Sequence, residues 1–334
     1  MIQRRVLRMT STSSDTTEED VDHWSEYRNP NNKRDQVFSA ISKQGGIKIT
    51  AVTARNIMND LMIQHHLSSV SADALGRTIM CSLLMANGIQ DEQIVQISLK
   101  TTGPIRGVVA VCNGLGHVRG YVGSPQLGED LSLQEAVGMG GAVQIVKNHP
   151  DWPRPYNGIT ALEHGDVDRD IGRYLANSEQ RSCALAAATS ILPGGLLCNA
   201  AGAYLIEQLP DVTEEEQELV ERNLEKLVQM DGGATLPTNL LLKSKTPLDI
   251  ALVILEDLGM QATSQVEPTL KCDCTEDRLL RALRLLPTEE VEEILEKEDK
   301  IEARCEFCGE VYRMGPEEVR EKLAATGSED EPNQ

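Results

Sequence analysis

Aromatic side chains are scarce here: they make up 3% of the 334 residues, and Phe38 and Phe307 are the only phenylalanines. Hydrophobic residues still reach 40%, so a core can form, but Leu, Ile, Val, Met and Ala must fill it. No apolar run approaches the roughly 20 residues that span a bilayer, so no membrane partner is expected. Basic clusters are missing as well. The chain carries 52 acidic against 32 basic residues, a formal net charge of −20. Binding to nucleic acid needs grouped Lys and Arg to neutralise phosphates, so no nucleic-acid partner is expected either. Eight cysteines are too few for a disulfide-stapled secreted scaffold of this length.

What is present is unevenly distributed. The surplus acid lies in patches at Glu18–Asp22, Glu214–Glu218, Glu289–Asp299 and Glu329–Glu331, which read as solubility and self-repulsion. Residues 1–33 are polar and read as a disordered leader. Its start, Met1 to Arg8, is basic and amphipathic like an organellar targeting segment. The acids Asp15, Glu18, Glu19, Asp20 and Asp22 follow within the leader and oppose that reading. A cytoplasmic address is therefore expected, with a mitochondrial or other organellar matrix as the alternative.

From Asp35 the pattern becomes globular. Gln36–Ile41 and Ile47–Val52 read as strands across Gly45-Gly46, and Ala54–Gln64 and Ala72–Asn87 as helices. Gln93–Thr101, Gly107–Cys112 and His117–Val122 read as strands, the last two joined by Asn113-Gly114, a hairpin signal. Ala142–Lys147 and Ile159–Leu162 add two more. Asp166–Ala188 reads as one helix and Leu196–Gln208 as strand or helix. The fold class expected for 34–210 is a mixed α+β domain. At Pro210 the composition shifts. Thr213-Glu-Glu-Glu216 is a capping box opening an amphipathic helix, Pro247–Leu258 reads as a second, and 211–264 is taken as a helical linker. Residues 265–322 form a small α+β module with helices from Glu276 and Thr288 and a strand at Lys300–Arg304, before an acidic tail at 323–334. Its core is thin, and domains this small usually need a staple.

Four cysteines supply one. Cys81, Cys112, Cys183 and Cys198 stand alone among apolar or small neighbours and read as small buried hydrophobes. Cys272-Asp-Cys274 and Cys305-Glu-Phe-Cys308-Gly309 are paired closely instead. Two residues between ligands let both sulfurs face one ion, and four thiolates suit a tetrahedral zinc. Cys272, Cys274, Cys305 and Cys308 are therefore the expected zinc ligands, with metal binding contributing roughly 10–16 kcal/mol to folding the module. Thiolates stay open to oxidation, so the site reads either as a structural zinc ribbon in an interaction protein or as a redox switch. Spacing alone does not choose.

The chain resembles the Hsp33 family of redox-regulated chaperones over nearly its whole length after the leader. The resemblance is carried by Lys271-Cys-Asp-Cys274 and Arg304-Cys-Glu-Phe-Cys-Gly-Glu-Val-Tyr312. Gly116–Val122, Pro155–Ile159, Tyr174–Gln180 and Glu207–Pro210 add to it. It implies an ATP-independent holdase, not an enzyme, that binds unfolding client proteins. Oxidation is implied to form the local disulfides Cys272–Cys274 and Cys305–Cys308, release zinc, unfold the linker and give an active homodimer. Gly202-Ala203 and Glu207 depart from the family's usual Gly-Gly and Gln.

Other motifs carry less. Gly114-Leu-Gly116-His-Val-Arg-Gly120 has a dinucleotide-loop look, but lies between apparent strands rather than opening a helix. Ser178 has no nucleophile elbow around it, with His149 or His164 as partner. His65-His66 reads as exposed, and Ile171, Tyr174 and Leu175 as core. Cys305-Glu-Phe-Cys308 follows a strand, not the helix start that a thiol oxidoreductase requires.

Overall fold

The structure is a computed structural model that describes residues 34–192, 197–230, 245–297 and 300–326. The leader, residues 231–244 and the end of the tail lie outside the described residues. Two antiparallel sheets and a helix between them organise the chain from Asp35 onward. The first sheet takes β1 (Gln36–Ser42), β2 (Ile47–Thr53), β8 (Cys183–Ile191), β9 (Cys198–Gln208) and β10 (Met260–Val266) in the order β10-β1-β2-β9-β8. The second takes β3 (Ile94–Lys100), β4 (Val108–Asn113), β5 (His117–Val122), β6 (Gly141–Asn148), β7 (Tyr156–Leu162) and the short β11 (Thr269–Leu270) in the order β11-β5-β4-β3-β6-β7. β11 alone runs parallel to its neighbour β5.

Helix α2 (Ser69–Ala86) follows α1 (Arg55–His65) and is buried almost all round. Leu75, Ile79, Leu83 and Leu84 share one buried face, and a second face, Ala74, Met80 and Cys81, is buried too. A helix apolar on all sides belongs inside a core, and Leu75, Ile79, Leu99, Ile97, Ile145 and Tyr174 form one continuous cluster around it. Gly120 on β5 makes that approach possible: a Cβ there would lie 2.9 Å from both Ile79 Cδ1 and Leu75 Cδ1.

The expected single helix over 166–188 divides in two. α4 (Val167–Ser178) stops where Gln180 takes φ 54°, and Cys183–Ile191 becomes β8. Its Ala-rich sequence favours helix locally, but small side chains let β8 lie against α2, where Gly76 faces Thr189. Packing overrides propensity. Leu197 onward, read as strand or helix, becomes β9, an interior strand between β2 and β8. There Ala203 is fully buried between Val52 and Ala187, and the buried Glu207 pairs with Arg181 and with Lys48 at 3.7 Å. The departure from a neutral residue at 207 thus brings its own counter-charges.

Asn113-Gly114 does turn a hairpin, β4 to β5, with Asn113 Oδ1 accepting from Leu115 N at 3.2 Å and His117 N at 3.0 Å. α3 (Leu133–Val137) opens with a Ser132–Glu135 capping box. The box at Thr213 is present and does more than cap. Glu216 N donates to Thr213 Oγ1 at 3.2 Å, while the buried Glu216 carboxylate accepts from Ser42 Oγ and Gly46 N on the β1–β2 turn. One carboxylate thereby ties α5 (Glu214–Met230) to the first sheet. α6 (Pro247–Ile254) packs beside α5, and Asn223 Nδ2 donates to Ile254 O at 3.0 Å. The segment expected to be wholly helical ends in β10, whose mostly exposed residues leave no apolar period to read.

The cysteine-bearing end contains α7 (Glu276–Leu283), α8 (Thr288–Lys297), the hairpin of β12 (Ile301–Arg304) and β13 (Val311–Met314), and α9 (Pro316–Thr326). Among the described residues its buried apolar cluster is Leu280, Val291, Leu295, Ile301, Met314 and Val319.

Candidate metal centre

Two segments deliver the sulfurs. β11 lies along β5, and Lys271 N donates to Val118 O at 3.0 Å, so the sheet edge aims the chain directly into Cys272-Asp-Cys274. The second pair sits in the tight turn between β12 and β13. Cys305 N bonds Glu310 O and Gly309 N bonds Cys305 O, each at 2.8 Å, and Gly309 takes the left-handed φ of 74° that the turn requires.

The four sulfurs, Cys272, Cys274, Cys305 and Cys308, all lie within 4.8 Å of one another and are half-buried. Cys272 and Cys305 are 3.7 Å apart, Cys274 and Cys308 3.2 Å. A tetrahedron with metal–sulfur bonds of about 2.3 Å has its sulfurs about 3.8 Å apart. The cluster therefore fits a tetrahedral thiophilic ion, and its donor set is purely thiolate. Burial raises the Cys272 and Cys308 thiols. At Cys274 burial acts the same way but is outweighed, because the Tyr312 hydroxyl donates to its sulfur at 3.2 Å and the other sulfurs reinforce it, so this thiol titrates low. A cation that takes all four as thiolates displaces their protons, and its affinity rises with pH.

The residues between the paired cysteines reach β5 and α1. Asp273 Oδ2 receives Arg119 Nη1 at 3.0 Å. The same guanidinium lies 5.1 Å from the Phe307 ring centroid, and Tyr121 meets that ring edge-on at 5.1 Å. The Phe307 carbonyl accepts from Gln64 Nε2 at 2.9 Å and His65 Nε2 at 3.1 Å. His65, expected to be exposed, is instead half-buried, and burial lowers its pKa. Sequence reasoning missed this contact. Arg119 and Tyr121 do alternate with Val118, Gly120 and Val122 on β5, which marks their face as distinct from the core, but nothing local names partners more than 150 residues away.

The isolated cysteines play no part here. Cys81, Cys112 and Cys198 are buried with thiols pushed up by burial, and Cys183 is half-buried in β8. Ile171, Tyr174 and Leu175 are core, as expected. Ser178 is exposed at the end of α4, while His164 Nδ1 is bound to Asp170 at 2.9 Å. Gly114 and Gly116 turn a hairpin and do not open a helix.

The family described as Hsp33 protein matches residues 35–315. The 33 kDa chaperonin of Gloeothece citriformis is 32% identical over 297 residues, covering 86% of this chain and 97% of that one. The 33 kDa chaperonin of Clostridioides difficile is 31% identical over 297 residues, covering 87% and 99%. The crystal structure of the 33 kDa chaperonin (heat shock protein 33 homolog) of Thermotoga maritima shares the fold, with a TM-score of 0.75 at 22% identity over 89% of this chain and all of that one.

Proposed function

The chain belongs to the Hsp33 family, and on that premise we propose that it is a redox-regulated, ATP-independent holdase that binds unfolding proteins under oxidative stress. The observation that carries this reading is the convergence of Cys272, Cys274, Cys305 and Cys308 on one point from two distant segments. Zinc, when bound there, cross-links both segments and is held as a tetrathiolate. Reduced, the four thiolates keep the module folded and the protein inactive. Oxidation joins Cys272 to Cys274 and Cys305 to Cys308, and disulfide sulfurs no longer serve as thiolate ligands. The thin cluster around Leu295 then cannot offset the entropy of ordering the module. Loosening spreads to the connecting segment 211–264, whose α5 and α6 cover apolar surface of the first sheet, and the exposed surface takes up clients in a homodimer.

The division into a core at 34–210, a linker at 211–264 and a zinc module at 265–322 belongs to the same proposal, as does its setting in the reducing cytoplasm or an organellar matrix, without nucleic-acid or membrane partners. The test treats metal-loaded protein with peroxide and follows zinc release together with suppression of aggregation of a thermally unfolding client. Both should occur together. Zinc release with no anti-aggregation activity would sink the switch and leave a structural zinc ribbon.

A further inference from the structure

A cleft of ≈ 260 Å³ opens onto the metal centre, and its charge runs against that of the chain. Three arginines line it, Arg119, Arg278 and Arg304, and no Asp or Glu does. Its floor carries Cys272, Cys274 and Cys305, whereas Cys308 does not line it. Arg119 is engaged by Asp273, yet its buried Nε has no hydrogen-bond partner. Arg278 and Arg304 are exposed and form no ion pair among the described residues. Arg313 and Arg320, in the same module, each hold a glutamate at 2.8 Å. In a protein with 52 acids to 32 bases, an acid-free cleft with two unpaired arginines is a local inversion of charge. Offsetting a tetrathiolate's formal −2 accounts for some of it. The unpaired, solvent-facing guanidiniums still present forked donors suited to carboxylate or other oxyanions. The volume lies just below the roughly 300–1,000 Å³ of sites for drug-sized ligands, so the ligand is small.

We propose that this cleft docks small anionic disulfides, with their carboxylates on Arg278 and Arg304, and thereby selects which reagents reach the sulfurs. The inference rests on the redox reading above and adds a substrate class to it. A thiolate of Cys272, Cys274 or Cys305 attacks one sulfur of the docked disulfide. A protein–reagent S–S bond forms, the reagent's own S–S bond breaks, and its electron pair leaves on the second reagent sulfur as a thiolate. A neighbouring protein thiolate then attacks the modified protein sulfur, closing an internal disulfide and expelling the second reagent thiolate. Two protein thiolates are oxidised, one reagent disulfide is reduced, and no proton or further oxidant enters.

Metal-loaded full-length protein is reacted with dianionic dithiobis(nitrobenzoate) and with neutral dithiodipyridine, each rate divided by that reagent's rate with mercaptoethanol. A net charge of −20 alone would make the dianion the slower reagent. Docking predicts the opposite: about a tenfold preference for the dianion at low salt, shrinking as ionic strength screens it and competed away by inorganic phosphate. Arg278→Gln with Arg304→Gln should abolish the preference while the neutral reagent's rate stays within about twofold, and mass mapping should place the first adduct on Cys272, Cys274 or Cys305. No preference in the wild type, an unchanged preference in the double variant, or a first adduct on Cys308 overturns the proposal. Should the double variant lose its metal, the salt and phosphate dependence of the wild type decides alone. If the neutral reagent modifies the sulfurs without releasing metal, the redox reading fails instead.

Discussion

The two-sheet region around α2 and the cysteine-bearing end both bury apolar surface around helices, but with very different reserves. In the core, α2 lies between two sheets and touches apolar side chains on every side, so removing any one leaves a continuous cluster. In the module, Leu280, Val291, Leu295, Ile301, Met314 and Val319 are the buried apolar set among the described residues. The same segment also holds the four sulfurs, within 4.8 Å of one another. The first kind of stability is graded and always on; on the proposed redox reading, the second is conditional on the state of a few atoms.

Metal removal should separate the two most sharply. With structural zinc worth about 10–16 kcal/mol to such a module, chelation should strip amide protection from 269–326 and leave 47–122 protected. Hydrogen exchange with and without chelator reads this directly, and equal protection of the module in both would break the comparison. Cys272→Ser should act in the same direction, with proteolysis of 211–264 reporting whether the linker feels the loss.

A cavity in the core tests the other side. Leu75→Ala removes a fully buried side chain from the centre of the cluster and should lower global stability by about 2–5 kcal/mol, measured by urea unfolding, with metal affinity unchanged. A large fall in affinity would mean that the regions are not independent.

The Glu216 strap should matter less. Glu216→Gln weakens the bonds from Ser42, Gly46 and Thr213 at a buried site and should cost about 1–3 kcal/mol. Burial opposes ionisation of this carboxyl, but those donors together hold its pKa below the ordinary 4.5. Its contribution is thus present above pH 4.5 and lost as pH falls through the lower folded value. Unfolding curves across that range should show a slope in the wild type that the variant lacks.

Smallest is Arg119→Ala. It removes a half-exposed ion pair and a cation–π contact, about 1 kcal/mol together. Faster local exchange at 305–309, with global stability intact, would mark the contact as a tether between the regions.

Much of this was legible along the chain. The hairpin at Asn113-Gly114, the capping box at Thr213 and the strands before residue 165 depend on neighbouring residues, and they stand where expected. Cys183–Ile191 was misread because alanine favours helix unless a tertiary partner demands otherwise, and that partner is α2, about 110 residues earlier. β10 escaped because its residues are mostly exposed. The pairing of the clustered cysteines was legible in spacing alone, with one residue between Cys272 and Cys274 and two between Cys305 and Cys308.

By itself, then, the sequence determined the two close cysteine pairs and the poverty of the module's core, because both follow from which residues occur and how closely. Only the tertiary structure decided that β11 carries the first pair off the edge of a sheet. It alone also decided that Arg119, Tyr121, Gln64 and His65 grip the loop of the second pair, and that unpaired arginines surround the sulfurs. Those arrangements join segments far apart in the chain, and chain distance carries no record of them until packing brings them together.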